Sequence, residues 1–133
     1  MTPELTWLTL TAILAASLWI PYIVGVNRHA VEGQDAFLRP HDLTAYPAWV
    51  HRAHRAHLNL VEQALPFAIV VLIAHQAGVS TTLTIWAAGL FFWLRIAHAV
   101  GMISGAAGFP ARPLLFTAGW IAILVIAVEV LRA

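Results

Sequence analysis

The chain has 133 residues, of which 61% are hydrophobic and only 10% charged, and its mean hydropathy is +0.82. A soluble domain is nearer half apolar and a quarter charged, so this composition describes a single integral membrane domain over residues 1–133. A formal net charge of +1 excludes a nucleic-acid partner, which needs a clustered basic face; the lack of cysteine excludes a disulfide framework, a thiolate metal site and a protein thiol nucleophile.

The first apolar run, Leu5 to Val26, has 22 residues and no charge. At about 1.5 Å per residue it crosses a hydrocarbon core of roughly 30 Å. Glu4 precedes it, and neither a basic n-region nor a small-x-small cleavage site accompanies it, so it reads as a span and not as a signal peptide. Pro21, in its last third, predicts a kink. A long polar connection from Asn27 to His57 follows, with Arg28, Arg39, Arg52, Arg55, Glu32, Asp35, Asp42 and several histidines. Pro40 and Pro47 punctuate it, and Tyr46 and Trp49 suit the membrane interface. The second span covers about residues 58–77 and carries Asn59, Glu62, Gln63, Pro66 and His75. A tight turn near Gly78 to Thr81 leads into the third span, 82–104, which is rich in aromatic residues but contains Arg95 and His98. A Gly/Pro connector, Gly105 to Pro113, carries Arg112 into the fourth span, 114–131. That span is aliphatic until Glu129, which has Arg132 at i,i+3 spacing for an ion pair. The predicted fold class is therefore all-α, an integral membrane four-helix bundle. Loops one and three hold five of the seven arginines and the opposite side only Arg132, so the positive-inside rule places both loops in the cytoplasm and both termini outside.

Polar groups inside the spans need a reason, because they are costly beside lipid. At about 100° per residue, Asn59 lies roughly 40° and Glu62 roughly 20° from Arg55 around the helix, with Pro66 on the same line. A cation, an amide and an anion on one stripe suit a zwitterionic ligand. The alternative is that Arg55 and Glu62 pair with each other, or with neighbouring helices, and only hold the bundle together, at about 1 kcal/mol each. Arg95, His98 and Met102 form a second stripe on the third span. Arg95 lies too deep to snorkel, so Glu62 or a ligand carboxylate is expected to answer it. His51, His54 and His57 spread over about 120° with no carboxylate at ligand spacing, so they read as interfacial histidines and no metal site is expected. Pro66 predicts a bend that opens space beside Glu62. Gly101 and Gly105, with Ala97 and Gly89, permit close helix–helix approach.

The run Arg55-Ala-His-Leu-Asn59-Leu-Val-Glu62-Gln-Ala-Leu-Pro66-Phe67, joined by Arg95-Ile-Ala-His98, resembles the membrane-associated proteins in eicosanoid and glutathione metabolism, the MAPEG family. The likeness is to a bacterial-type member near the prostaglandin-synthase and glutathione-transferase branches, and it extends over the whole chain. It implies a homotrimer in the bacterial inner membrane, with glutathione as co-substrate between subunits at the cytoplasmic end. A hydrophobic small-molecule substrate would arrive from the bilayer, in a detoxification role. By position, Arg28, Arg55, Asn59, Glu62, Arg95 and His98 would bind glutathione. Arg112, one residue later than the family's thiol-activating arginine, would be catalytic. The chain departs from the prostaglandin-synthase pattern at Met102 and Phe116, which replace tyrosines, at Pro113, which replaces a serine, and at Leu58, which replaces an arginine. The residue chemistry fits the same ligand: arginine forks suit its carboxylates, Glu62 its ammonium and Asn59 a peptide group. The expected function is a glutathione-dependent transferase or peroxidase for small hydrophobic electrophiles. The alternative is a non-catalytic lipid- or glutathione-binding membrane protein or accessory subunit of the same fold.

Overall fold

The computed structural model describes residues 1–33 and 42–133; Asp35, Arg39 and Pro40 of the first loop lie outside the described residues. Helices α1 (Pro3–Ser17) and α2 (Ile20–Arg28) together form the first span. They part at Leu18 and Trp19 because Pro21 has no N–H for the Ser17 carbonyl and its ring crowds that group. The Trp19 indole donates to the Ala16 carbonyl at 2.7 Å, so one freed acceptor near the break is satisfied. A short 3₁₀ turn, Leu43–Ala45, precedes α3 (Ala48–Gln76), and α4 (Thr82–Ser104) and α5 (Ala111–Arg132) complete the described elements. All four spans are long and apolar enough to cross a membrane.

One expectation changes. Residues 48–57, read as the end of a polar loop, are the first turns of α3. Val50, Ala53 and Ala56 form its buried side while the arginines and histidines ride the other, an amphipathic pattern that a search for uninterrupted apolar runs passes over. At 29 residues α3 is about 43 Å long, so it projects beyond the hydrocarbon core. Pro66 lies within this one helix.

The hub is α4, half of whose span is buried against 22–28% for the other three. Phe67 of α3 stacks on Phe91 of α4 with ring centroids 4.0 Å apart, and both are fully buried. Val71, Ala88 and Ile126 close the same cluster, so α3, α4 and α5 share one core. A second cluster joins Leu18, Leu60, Ala99 and Met102 beneath the arginine-rich end. The small residues serve particular contacts. Gly89 lets the Trp7 indole of α1 lie on α4, whereas Gly101 faces Ala107 of the connector rather than another helix. Gly105 takes the left-handed conformation (φ 84°) that ends α4.

At the opposite end, Glu4 is almost fully buried. It accepts hydrogen bonds from Thr84 Oγ1 at 2.6 Å and from Ser80 Oγ at 2.9 and 3.2 Å, tying the start of α1 to the α3–α4 turn and the first turn of α4. Glu129 accepts from Thr81 Oγ1 at 3.0 Å and lies 4.0 Å from Arg132, the ion pair that the i,i+3 spacing predicts.

Candidate functional site

Three helix ends meet at the arginine-rich side: the start of α3, the end of α4 and the start of α5. Arg52 donates from Nε and Nη2 to the Ile103 carbonyl at 3.4 and 3.3 Å, satisfying a terminal carbonyl of α4. Its guanidinium lies over Gly105, where a Cβ would meet it at 3.3 Å. This contact fixes the path of the connector toward Arg112.

Two cavities open there. The first, about 380 Å³, is lined by Asn59, His98, Arg112, Pro113, Phe116 and Thr117. The second, about 420 Å³, shares Arg112 and Pro113 with it and adds His51, Arg52, Arg55 and Met102 together with connector residues. Three arginines line the pair, and no carboxylate does among the described residues.

Arg95 stands behind Asn59. It is 1% exposed, the largest of the fully buried side chains. Its Nη2 donates to the Leu115 carbonyl at 2.6 Å and its Nη1 to Asn59 Oδ1 at 3.4 Å, a long contact. The guanidinium carbon lies 5.6 Å from the Phe91 ring centroid and 6.0 Å from that of Phe116, within cation–π range. Neither Glu62 nor any other carboxylate answers this cation among the described residues. A backbone carbonyl, an amide and two aromatic faces do so instead. Beside it, Gln63 is buried and donates from Nε2 to the Phe116 carbonyl at 3.1 Å, while its Oε1 has no partner. Gly119 makes the room: a Cβ there would lie 2.6 Å from Arg95 Nη2 and 2.7 Å from Gln63 Oε1. The His98 ring is also buried, and its Nε2 has no hydrogen-bond partner among the described residues.

The structure therefore brings Asn59, His98 and Arg112 to one cavity, Arg55 to its neighbour, and Arg95 behind the Asn59 and Phe116 walls of the first. Glu62 and Arg28 line neither cavity. Both are exposed, Glu62 on the α3 stripe beyond Asn59 and Arg28 at the end of α2. Arg55 and Glu62 make no ion pair among the described residues, so mutual pairing does not explain their placement. Gln63, Gly119, Thr117 and Arg52 are the neighbours that the sequence reading left without a role. For Gln63 a signal existed, since it follows Asn59 by four residues and falls on an adjacent line of the helix. Thr117 brings a hydroxyl to the first cavity, and its Oγ1 has no hydrogen-bond partner among the described residues, unlike Thr6, Thr9 and Thr11, which bond the carbonyl four residues back. Of the α3 histidines, His54 lies against Tyr22 with ring centroids 4.6 Å apart and planes tilted by 39°, and no group of three metal-ligating side chains forms among the described residues.

The profile of the MAPEG family matches residues 6–132, nearly the whole chain. No curated protein matches the chain significantly. Four apolar spans, the paired polar stripes of α3 and α4, and a family match over this length agree: the chain is an integral membrane protein of the MAPEG family, the membrane proteins of eicosanoid and glutathione metabolism.

Proposed function

We propose that this protein is a membrane-bound glutathione-dependent transferase or peroxidase for small hydrophobic electrophiles, with glutathione held at the arginine-rich end. The observation that carries the reading is the pair of adjoining cavities lined by Arg52, Arg55 and Arg112, backed by buried Arg95, with no carboxylate among their described lining residues. Such a set of donors suits a ligand with two carboxylates and an ionisable thiol. In this reading the exposed Glu62 and Arg28 complete the site from a neighbouring subunit of a homotrimer, with Glu62 receiving the ligand's ammonium. The arginine distribution supports a cytoplasmic position for this end with both termini outside, and the family resemblance supports a bacterial inner membrane.

Glutathione supplies a thiol whose deprotonated form attacks an electrophilic carbon, or reduces a hydroperoxide. Arg112 stabilises the negative sulfur and so raises the thiolate fraction. Asn59 contributes amide donors, and Thr117 supplies a hydroxyl to the first cavity, where Pro113 and Phe116 bring none; Met102 brings none to the second. Phe116 and Pro113 give the same cavity apolar walls for the second substrate.

Met102 and Phe116 also support the second reading, a MAPEG-fold protein that binds glutathione or lipid without turnover. A conjugation assay with a chlorinated nitrobenzene decides between them: the sulfur bonds to the ring carbon, chloride leaves, and the thiol proton passes to solvent. The transferase reading predicts a rate above background that Arg112→Ala lowers at least tenfold. Equal background rates for both proteins would establish the binder.

A further inference from the structure

Arg95 contacts neither cavity as a lining residue, yet it is an intramembrane cation with no anion beside it among the described residues. A guanidinium has only donors, so the Asn59 atom facing it must be the carbonyl oxygen. The other branch of that amide, the NH₂ group, is then the part left for the cavity that Asn59 lines. We propose that Arg95 is a positioning residue, which turns the Asn59 amide so that its NH₂ donors face the cavity, and that Gly119 is the space that allows it.

This deepens the glutathione reading and rests on it for the identity of the ligand. The cavity wall then offers the Asn59 NH₂, the Arg112 guanidinium and the Thr117 hydroxyl, a set that accepts a carboxylate or thiolate and disfavours a cation. Arg95 itself is clamped on α5 by the Leu115 carbonyl and flanked by Gln63, whose own bond to the carbonyl of the next residue, Phe116, holds the same turn of α5. Any side chain at position 119 would enter the volume that the guanidinium fills. Gly119 lies behind the site and lines neither cavity, so an effect of its replacement on ligand binding must pass through Arg95 or Gln63.

The test is a set of double-mutant cycles in nanodiscs with glutathione as the probe. Gly119→Ala is expected to weaken glutathione binding about tenfold, the scale of one lost charge-assisted hydrogen bond. In an Arg95→Gln background the same change should alter binding less than twofold, and Arg95→Lys should restore part of the affinity. A full tenfold effect of Gly119→Ala in the Arg95→Gln background, or wild-type binding by Gly119→Ala, would overturn the proposal. Asn59→Asp keeps the test open if Gly119→Ala does not fold. It gives Arg95 an anion and turns an oxygen to the cavity, so the unliganded protein should melt higher while glutathione binding falls. The gain in melting temperature should vanish in the Arg95→Gln background. A fall in melting temperature that is the same in both backgrounds refutes the Arg95–Asn59 coupling. Because that readout needs no ligand, it stands even where the wild type binds no glutathione, an outcome that refutes the proposed function alone.

Discussion

Glu4 offers a quantitative test of how this bundle is held together. Glu4 is 3% exposed, and its carboxylate receives hydroxyl hydrogens from two residues, Ser80 on the α3–α4 turn and Thr84 in the first turn of α4. A hydrogen bond to a charged group contributes about 1.5–3 kcal/mol when its partner would otherwise be left buried. Taking the lower figure for each donor, Glu4→Ala costs about 3 kcal/mol. Glu4→Gln keeps the volume and lets the hydroxyls rotate to new partners, but it loses the charge assistance, which is roughly half of each bond, and so costs about 1.5 kcal/mol. Equilibrium unfolding in mixed micelles, with helicity as the signal, gives both numbers. The reasoning fails if both variants unfold with the wild type. It also fails if Gln costs as much as Ala, because the loss would then come from the charge at the start of α1 and not from the bonds.

Further predictions concern packing and the site. Phe67→Ala removes one ring of the 4.0 Å stack at a fully buried position and should destabilise the bundle by about 3–5 kcal/mol in the same unfolding assay. Gly105→Ala forces a side chain into the left-handed region at the end of α4 and against Arg52, with an expected cost of about 1–2 kcal/mol. Met102→Tyr places a phenol in the second cavity and should raise the conjugation rate, while Thr117→Val should lower it several-fold with little change in melting temperature.

Much of this architecture is legible in the chain, and the physical reason is the bilayer itself. A span must be a long apolar helix, so the runs beginning at Leu5, Leu58, Thr82 and Leu114 announce it. The stripes were legible for a related reason: Arg55, Asn59, Arg95 and His98 are conspicuous because charge and amide groups are rare in such segments. The first turns of α3 were hidden because an amphipathic helix outside the hydrocarbon carries as many polar residues as a loop does. Arg95's partners were hidden differently. The group that answers it most closely is a backbone carbonyl, that of Leu115, and carbonyls leave no mark on the sequence. Gly119 was one glycine among eight until the guanidinium above it was placed. Glu4 reads as a flanking charge, and its burial depends on Thr84 and Ser80, about eighty residues away along the chain.

The central claim is that the arginine-lined cavities hold glutathione, and a glutathione titration of melting temperature in nanodiscs tests it most directly. A ligand that binds only the folded protein stabilises it by about 2.7 kcal/mol at a hundredfold excess over Kd. The account predicts a rise in melting temperature that saturates at millimolar glutathione, disappears in Arg55→Ala and shrinks in Asn59→Ala. An unchanged melting temperature for the wild type across that range would contradict it.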